Sequence, residues 1–499
     1  MSSVAGRMMR GSAWITGARV AINLIGFVST LVLARILTPA DFGLVALGTT
    51  ILVIVTAVTD MSLAQALIHH QNPEDDHFHT AWTLNACRGL VLAALMAAAA
   101  HPLAALYTEP RLEGLIYALA FSVLVGGLTN PRIILLSKQL VFWQDFLLSV
   151  SERLVAVVVS IGVALYFRSY WALVAGAVAG QFAAVIISYA IVPFRPKMVW
   201  NRARELWSFS IWLTLGQAMN TINWRFDQLL IGHYLGRSIL GAYAVGDNLA
   251  QIPTREAIAP LTHTLFPAFS RIADDKARLA AGYERAQGLV TAIALPVGVG
   301  FGLLAEPMVL AMMGEKWRAA IPIIQALSAV FALQTLGSLV QPLGMATGAT
   351  RNLFQRDLLL FVLRLPVIIA AMLLWGLTGL IYARVATGLT AAFINMTLVR
   401  RLTGLTLTVQ LLANLRSLTA VAVMAAGVIA IGMQFNHLGA GLLDLLVELG
   451  VRAVAGAALY VATSLALWHV AGRPGGPEKE ILTLISRAVL KIKTLRASQ

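Results

Sequence analysis

The chain has 499 residues, of which 59% are hydrophobic and 12% are charged, and its mean hydropathy is +0.79. A soluble domain carries about 45–50% apolar and about 25% charged residues, so this composition excludes water as the solvent for most of the surface. The formal net charge is +14, and a single cysteine, Cys87, excludes an internal disulfide.

The apolar runs are long, and they predict an all-α integral membrane protein. Inside a bilayer the backbone polar groups must pair within the protein, and a spanning helix needs about 20 mostly apolar residues. Division of the chain at proline, glycine and charge clusters predicts about fourteen transmembrane helices. They lie near 11–36, 42–68, 80–106, 114–136, 147–167, 170–194, 205–233, 238–265, 286–312, 319–346, 355–376, 378–400, 414–435 and 446–471.

The connections between these helices alternate in charge. One set, together with the tail, is rich in Lys and Arg, whereas the opposite set holds only Arg111, Arg168, Arg237, Lys316 and Arg318. Basic residues collect in cytoplasmic loops beside anionic lipid, so both termini are expected in the cytoplasm. The positive charge is thereby assigned to the membrane, and nucleic acid is not expected as a partner.

The tail beyond the last predicted helix, 472–499, is basic and amphipathic. Apolar residues recur at helical spacing through Ile481–Arg496, opposite Arg487, Lys491 and Lys493. This pattern predicts a helix that lies in the membrane interface and contacts membrane lipids. A partly disordered tail is the alternative.

One stretch of the chain is repeated. LARILTPADFGLVALG (Leu33–Gly48) aligns without gaps on IGHYLGRSILGAYAVG (Ile231–Gly246), and both copies join an odd helix to an even one at the outer face. Six helices separate the copies, so the two halves share one orientation, as in transporters whose substrate site lies between two parallel repeats. The repeat predicts an N-lobe at 1–200 (helices 1–6), a C-lobe at 201–403 (helices 7–12) and an additional helix pair at 404–471.

The repeated segment, its second copy GHYLGRSILGAYAVGDNLAQIP and the loop HHQNPEDDHFHTAWTLN resemble the Wzx-type flippases. These form the polysaccharide transporter family of the multidrug/oligosaccharidyl-lipid/polysaccharide superfamily, and the chain is most similar to the exopolysaccharide and colanic-acid branch. The resemblance implies a transporter, not an enzyme, in the bacterial inner membrane. It would move an undecaprenyl-pyrophosphate-linked oligosaccharide from the cytoplasmic to the periplasmic leaflet by alternating access, for exopolysaccharide or lipopolysaccharide biosynthesis. Polysaccharide polymerase and chain-length machinery are further candidate partners.

Arginines within the predicted spans are candidates for binding the pyrophosphate. A charge at the bilayer centre costs about 2.5–3.5 kcal/mol on insertion scales, so such a residue is a functional candidate by default. The planar guanidinium also matches phosphate oxygens bidentately. The candidates in the cytoplasmic part of their helices are Arg19, Arg255, Arg88, Arg132, Arg153 and Arg364, with Arg19 and Arg255 as the strongest pair. The alternative for each is an ion pair or contact with lipid headgroups.

Polar residues at helical spacing on several helices are candidates for lining the sugar path. These faces should point away from lipid. The candidates are Asn23, Gln217, Asn220, Trp224, Gln251, Gln334 and Gln341. Trp224 would offer a stacking surface for a sugar, although hydrogen bonding between helices explains these stripes equally well.

Three acids, Asp60, Asp227 and Asp247, are candidates for coupling transport to Na⁺ or H⁺, with a salt bridge as the alternative role. The histidines and carboxylates of His69–His79 match no standard zinc spacing, so no metal site is expected. The chain contains no Walker loop, nucleophile elbow or HExxH, so no cofactor or acyl-transfer chemistry is expected.

Other functions remain open at this point. A lipid II flippase or a cation-coupled drug exporter of the same superfamily shares the resemblance, but a cationic drug would favour carboxylates over the arginines found here. A membrane glycosyltransferase or polysaccharide polymerase generally needs large extramembrane loops, and every predicted outer connection is short.

Overall fold

A computed structural model of the chain describes residues 4–61, 73–138, 143–204, 211–435 and 441–483, with isolated positions 63, 67 and 486. These residues form helices and short connections, and no strand occurs among them. The packing divides the chain into two compact units, Met1–Ala244 (unit 1) and Val245–Gln499 (unit 2). The units follow packing and not the repeat, so the lobe boundaries proposed at 200 and 403 stay predictions.

Unit 1 is built from helices that pack both against neighbours in the chain and against helices distant in the chain. They are α1 (Val4–Ile36), α2 (Pro39–Val58), α3 (Asp75–Leu106), α4 (Arg111–Gly126), the short α5 (Ile134–Lys138), α6 (Trp143–Phe167), α7 (Trp171–Ile191) and α8 (Ile211–Tyr234). The next helix, α9 (Arg237–Ser270), begins in unit 1 and continues into unit 2.

Unit 2 continues with helices of very different lengths. They are α10 (Lys276–Leu303), α11 (Ala305–Met312), α12 (Ala320–Gln334), α13 (Val340–Ala346), α14 (Thr350–Thr403), α15 (Leu407–Ala413), α16 (Leu415–Phe435) and α17 (Leu442–Val470). The fold is therefore all-α, as predicted.

Nine helices within the described ranges are long and apolar enough to cross a membrane. The predicted count of about fourteen stays a prediction. Two predicted spans are each divided: 286–312 becomes α10 and α11, and 319–346 becomes α12 and α13. Proline explains both divisions, because its ring clashes with the carbonyl four residues earlier. Pro307 affects the carbonyl of Leu303, where α10 ends, and Pro342 affects that of Ser338, which follows α12 and a 3₁₀ turn.

The surface of the helices is largely apolar, as a bilayer requires. Large hydrophobic side chains lie exposed on helices of both units, such as Val158, Ile186, Leu374 and Val454. A soluble monomer would not leave apolar patches of this extent in water. Lipid chains are the solvent that suits them.

The turn between α1 and α2 is set by its sequence. Thr38 caps α2 by a capping box, in which its backbone N–H donates to the Asp41 carboxylate and its hydroxyl accepts from the Asp41 N–H. Pro39 occupies the first helical position, where a missing N–H costs nothing. The repeated motif Leu33–Gly48 thus contains the end of α1 and the capped start of α2.

The two repeat copies meet at a pair of equivalent glycines in unit 1. A Cβ added at Gly43 would lie 1.7 Å from the carbonyl oxygen of Arg237, and one added at Gly241 would lie 1.8 Å from that of Pro39. Gly43 aligns with Gly241 in the repeat, and Pro39 aligns with Arg237. The contact is therefore reciprocal, as a two-fold relation between the copies would produce.

The long helix α14 is interrupted at Gly376, which has φ 58° and ψ −136°. This break matches the boundary predicted between 376 and 378. Only glycine adopts such a conformation without strain. We expect Gly376→Ala to lower stability by about 1–3 kcal/mol. Thermal unfolding of the purified protein in detergent would measure this, with Gly450→Ala as the control, because a Cβ at Gly450 meets nothing within 4 Å.

The basic segment Phe194–Arg204, predicted as the lobe linker, is docked on α3. The Lys197 N–H donates to Nδ1 of His79, and the Val199 N–H donates to the hydroxyl of Thr83. Phe194 is buried and stacks on His79 with the ring centroids 5.1 Å apart. Hydrogen bonds from backbone N–H groups of the segment to side chains of α3 therefore hold it in place.

The start of the tail is docked on unit 2. Glu478 is buried and lies 3.2 Å from the guanidinium of Arg416, which stands near the start of α16. The predicted interfacial helix Ile481–Arg496 falls almost entirely outside the described residues, so it stays a prediction.

Candidate functional site

A polar cavity of about 410 Å³ lies inside unit 1, between α2, α3, α4 and α7. Its polar lining comes from Thr56 on α2, Asn85 and Arg88 on α3, Ser122 on α4 and Gln181 on α7. Every one of these helices is otherwise strongly apolar. Cavities of this size commonly bind small molecules through a few polar groups.

Arg88 is the charged group of this cavity, and it is held at the C-terminal end of α2. One Nη donates to the carbonyl oxygen of Thr56 at 2.7 Å, and Nε lies 3.4 Å from the hydroxyl of Thr59. The last carbonyls of a helix lack partners within the helix and favour a cation. A guanidinium has five N–H donors, so these bonds leave it capacity to bind an anion.

Glycines allow α3 and α4 to approach each other beside Arg88. A Cβ at Gly127 would lie 2.7 Å from the carbonyl oxygen of Asn85, and one at Gly89 would lie 3.1 Å from the Cα of Gly127. At the adjacent residue Gly126, the last of α4, the Cβ position is 3.3 Å from the amide nitrogen of Gln181. Small residues thus bring the polar groups of three helices together.

The other predicted arginines have different surroundings. Arg132 pairs with Asp75 and its guanidinium lies 5.0 Å from the ring centre of Phe194. Arg255 is exposed and lies 3.2 Å from Glu256. The Arg153 guanidinium packs against Gly26 of α1, and Arg364 is half-buried on α14.

The candidate arginines are divided between the two units. Arg88, Arg132 and Arg153 belong to unit 1, whereas Arg255 and Arg364 belong to unit 2. The side chain of Arg19 lies outside the described part of the structure. A shared pyrophosphate site therefore stays a prediction, and Arg88 is the member that lines the cavity in unit 1 described above.

The predicted sugar-binding stripe on α8 is divided between two environments. Trp224 is exposed and its Nε1 donates to the side-chain oxygen of Asn220 at 3.2 Å. Asp227, one turn later, is 1% exposed and accepts a hydrogen bond of 3.0 Å from the Tyr243 hydroxyl. The Gln217 side chain is not among those described, and Asn23 is half-buried on α1.

The glutamines predicted to line the path have partners in unit 2. Gln251 donates to Asp247 at 2.8 Å, and Gln334 lies 3.4 Å from the carbonyl oxygen of Gly388. Gln341 is exposed and accepts from Arg356 at 3.0 Å. Their roles in binding sugar stay predictions.

Asp247 forms a buried ion pair in unit 2. Its carboxylate lies 3.1 Å from the Arg384 guanidinium, and the two residues are 7% and 6% exposed. The guanidinium also lies 6.0 Å from the ring centre of Phe331. The salt-bridge role is therefore the one observed for Asp247, while Asp60 lies after α2 and interacts electrostatically with Arg88.

Two histidines of the segment His69–His79, His77 and His79, lie in the first turns of α3 and have structural partners, whereas His69 and His70 fall outside the described residues. His77 Nδ1 accepts from the Glu74 N–H at 3.1 Å, and His79 contacts the docked linker. No group of three potential metal ligands occurs among the residues described.

Sequence reasoning missed Asn85, Ser122 and Gln181 in the cavity, and it did not identify Arg384 as the partner of Asp247. Gln181 had a usable signal, since it is a lone polar amide in the apolar segment Trp171–Ile191. Nothing in the spacing of Arg384 indicates a partner 137 residues away.

This chain is similar in sequence to known proteins. The profile of a family described as "Polysaccharide biosynthesis protein" matches residues 32–322. The succinoglycan biosynthesis transport protein ExoT of Rhizobium meliloti is 27% identical over 323 residues, which cover 64% of this chain and 65% of that protein. The lipopolysaccharide biosynthesis protein WzxC of Escherichia coli is 24% identical over 381 residues, 75% of this chain and 77% of that protein. The alignment with ExoT thus spans just under two thirds of its length.

Solved structures show a similar fold. The lipid II flippase MurJ, in an inward closed conformation, has a TM-score of 0.72 at 11% identity, with 91% of this chain and 99% of that one covered. The eukaryotic MATE transporter AtDTX14 has a TM-score of 0.50 at 13% identity, with 82% and 99% covered. At these identities the likeness concerns the fold, and the fold is that of multi-pass membrane transporters.

Proposed function

The chain belongs to the polysaccharide biosynthesis protein family, and on this premise we propose that it is a flippase for lipid-linked oligosaccharides. Its substrate would be an undecaprenyl-pyrophosphate-linked repeat unit, carried from the cytoplasmic to the periplasmic leaflet of the bacterial inner membrane. The names of ExoT and WzxC, which refer to succinoglycan transport and lipopolysaccharide biosynthesis, support this substrate class. Both termini would face the cytoplasm, and polymerase and chain-length machinery would act on the exported unit.

The observation that carries the proposal is the polar cavity around Arg88. An arginine with amides and a hydroxyl inside an apolar bundle offers bonds to an anionic, hydroxyl-rich molecule. Lipid offers no such partners, so the cavity lowers the cost of moving a polar headgroup through the membrane.

The arginine would bind the charged pyrophosphate of the substrate, and the amides would bind the hydroxyls of its sugars. The Arg88 guanidinium would accept the pyrophosphate by charge-assisted hydrogen bonds, which are roughly twice as strong as neutral ones. Asn85 and Gln181 each provide a donor and an acceptor for sugar hydroxyls.

We expect Arg88→Ala to slow leaflet exchange at least about tenfold. Loss of a hydrogen bond to a charged group costs about 1.5–3 kcal/mol, and 1.4 kcal/mol is a factor of ten. The measurement follows a fluorescent undecaprenyl-pyrophosphate sugar in vesicles that contain the purified protein.

Arg401→Ala is the matched control, because it removes the same charge from an exposed position at the end of α14. The doubly substituted Arg19→Ala/Arg255→Ala protein tests the other predicted pair in the same assay. Exchange at the wild-type rate in Arg88→Ala would remove the cavity from the proposal. Absence of exchange in the wild-type protein would overturn the proposed function itself.

A further inference from the structure

A second cavity, of about 420 Å³, lies within unit 2 between α10, α11, α12, α16 and α17. Its polar groups are the Arg452 guanidinium, the Glu306 carboxylate and the Gln325 amide. The family match ends at residue 322, before α16 and α17 begin. This cavity is separate from the one around Arg88 and plays no part in the proposed function.

Arg452 is built into the wall of this cavity. It is 9% exposed and forms an ion pair with Glu448 one turn earlier on α17. Gly432 of α16 makes room for it, because a Cβ at that glycine would lie 2.4 Å from an Nη of Arg452. The position of the guanidinium is therefore set by packing and by an ion pair.

One donor of Arg452 has no acceptor. Its Nε is buried and makes no hydrogen bond to any described residue. A buried donor is normally satisfied, and one that is not calls for a missing partner. Because this side chain lines the cavity, a ligand with an acceptor oxygen could supply that partner.

The charges around the cavity do not favour a simple anion. Glu448 already neutralises Arg452, and Glu306 adds an exposed carboxylate at the first turn of α11. Arg318 interacts electrostatically with Glu306, but its guanidinium is paired with Glu315, so this group of side chains keeps one excess negative charge. The ligand should therefore carry an acceptor for Nε together with a cationic group for Glu306. A zwitterion satisfies both requirements, because one molecule carries both an anionic acceptor and a cationic group.

The remaining walls are apolar and open toward the lipid-facing surface. Ile429 and Met433 on α16 line the cavity and are 52% and 60% exposed. Val447 and Val451 on α17 continue the apolar surface beside Arg452. Acyl chains would find the same surroundings here as in a bilayer.

We propose that this cavity is a binding site for a zwitterionic aminophospholipid. The phosphate would accept a hydrogen bond from Nε of Arg452, the primary ammonium would pair with Glu306, and the acyl chains would follow the apolar walls. The helices α16 and α17 would thus carry a bound structural lipid.

The test titrates ethanolamine, choline and glycerol phospholipids into the delipidated full-length protein and counts bound lipid by native mass spectrometry. The ethanolamine lipid should bind at least about tenfold more tightly than the other two. The choline headgroup lacks N–H donors, and the glycerol headgroup lacks the cation. Glu306→Gln should abolish the preference for ethanolamine, while Glu284→Gln, which removes the same charge from an exposed position on α10 outside the cavity lining, should retain it.

Two further variants separate binding from folding. Gly432→Ala should displace the guanidinium and weaken binding of the ethanolamine lipid, with the unfolding temperature of the lipid-free protein as the check on folding. Arg452→Lys keeps the ion pair but has no Nε donor, so it should bind the lipid less tightly. Equal binding of the three lipids, tightest binding of the glycerol lipid, or a preference that survives Glu306→Gln would each overturn the proposal.

Discussion

Replacement of Arg384 by glutamine is expected to destabilise the protein by about 3–5 kcal/mol, because it breaks a buried ion pair by removing the cation 3.1 Å from the Asp247 carboxylate. Arg384 and Asp247 lie on α14 and α9, and both are less than a tenth exposed. The Gln251 amide also donates to the carboxylate, but a neutral donor does not replace a charge. Asp247→Asn should be similarly harmful, because it removes the negative charge that lies 3.1 Å from the buried guanidinium.

The double variant Asp247→Asn/Arg384→Gln distinguishes the ion pair from simple packing. It removes both charges and keeps the side chains nearly the same size, so it should be markedly more stable than either single variant. Thermal unfolding in one detergent measures all three. Arg278→Gln is the control, since its pair with Asp275 is largely exposed and contributes only about 0–1 kcal/mol. Equal losses in the single and double variants would show that the pair is not the cause.

Replacement of Gly43 or Gly241, the two equivalent glycines of the repeat, by alanine is expected to lower the stability by an amount similar to that of breaking the Asp247–Arg384 ion pair. The methyl group of Gly43→Ala would lie 1.7 Å from a carbonyl oxygen of α9, and that of Gly241→Ala would lie 1.8 Å from the carbonyl oxygen of Pro39. Overpacking typically costs about 1–3 kcal/mol when side chains can yield. These contacts are with backbone, so the helices themselves must separate and the cost should reach or exceed that range.

The measurement is the yield of monodisperse protein and its unfolding temperature. Gly162→Ala is the matched control, because a Cβ at this position on α6 meets nothing within 4 Å. Alanine is favoured over glycine in a helix by about 1 kcal/mol, so the control should be slightly more stable than the wild type. Wild-type stability in Gly43→Ala would contradict the reciprocal contact.

The sequence contained enough information to predict several features directly. The apolar runs predicted the all-α membrane fold, and the division of the chain at glycine predicted the boundary near Gly376. Such features are local, because they depend on helix length, proline, glycine and caps. The divided spans at Pro307 and Pro342 show the limit of this approach, since apolar composition continues across a break in the helix.

The partners of the polar residues could be identified only in the folded chain. Arg88, Arg384 and Arg452 are all arginines in apolar helices, and nothing in the sequence separates them. The fold places one at a helix end beside a polar cavity, one against a buried aspartate, and one against a glycine with a donor left over. A lone charged residue in an apolar helix indicates that this residue needs a partner in the fold, because the bilayer cannot solvate its charge. Which partner it finds depends on contacts between helices far apart in the chain, and only tertiary packing decides these.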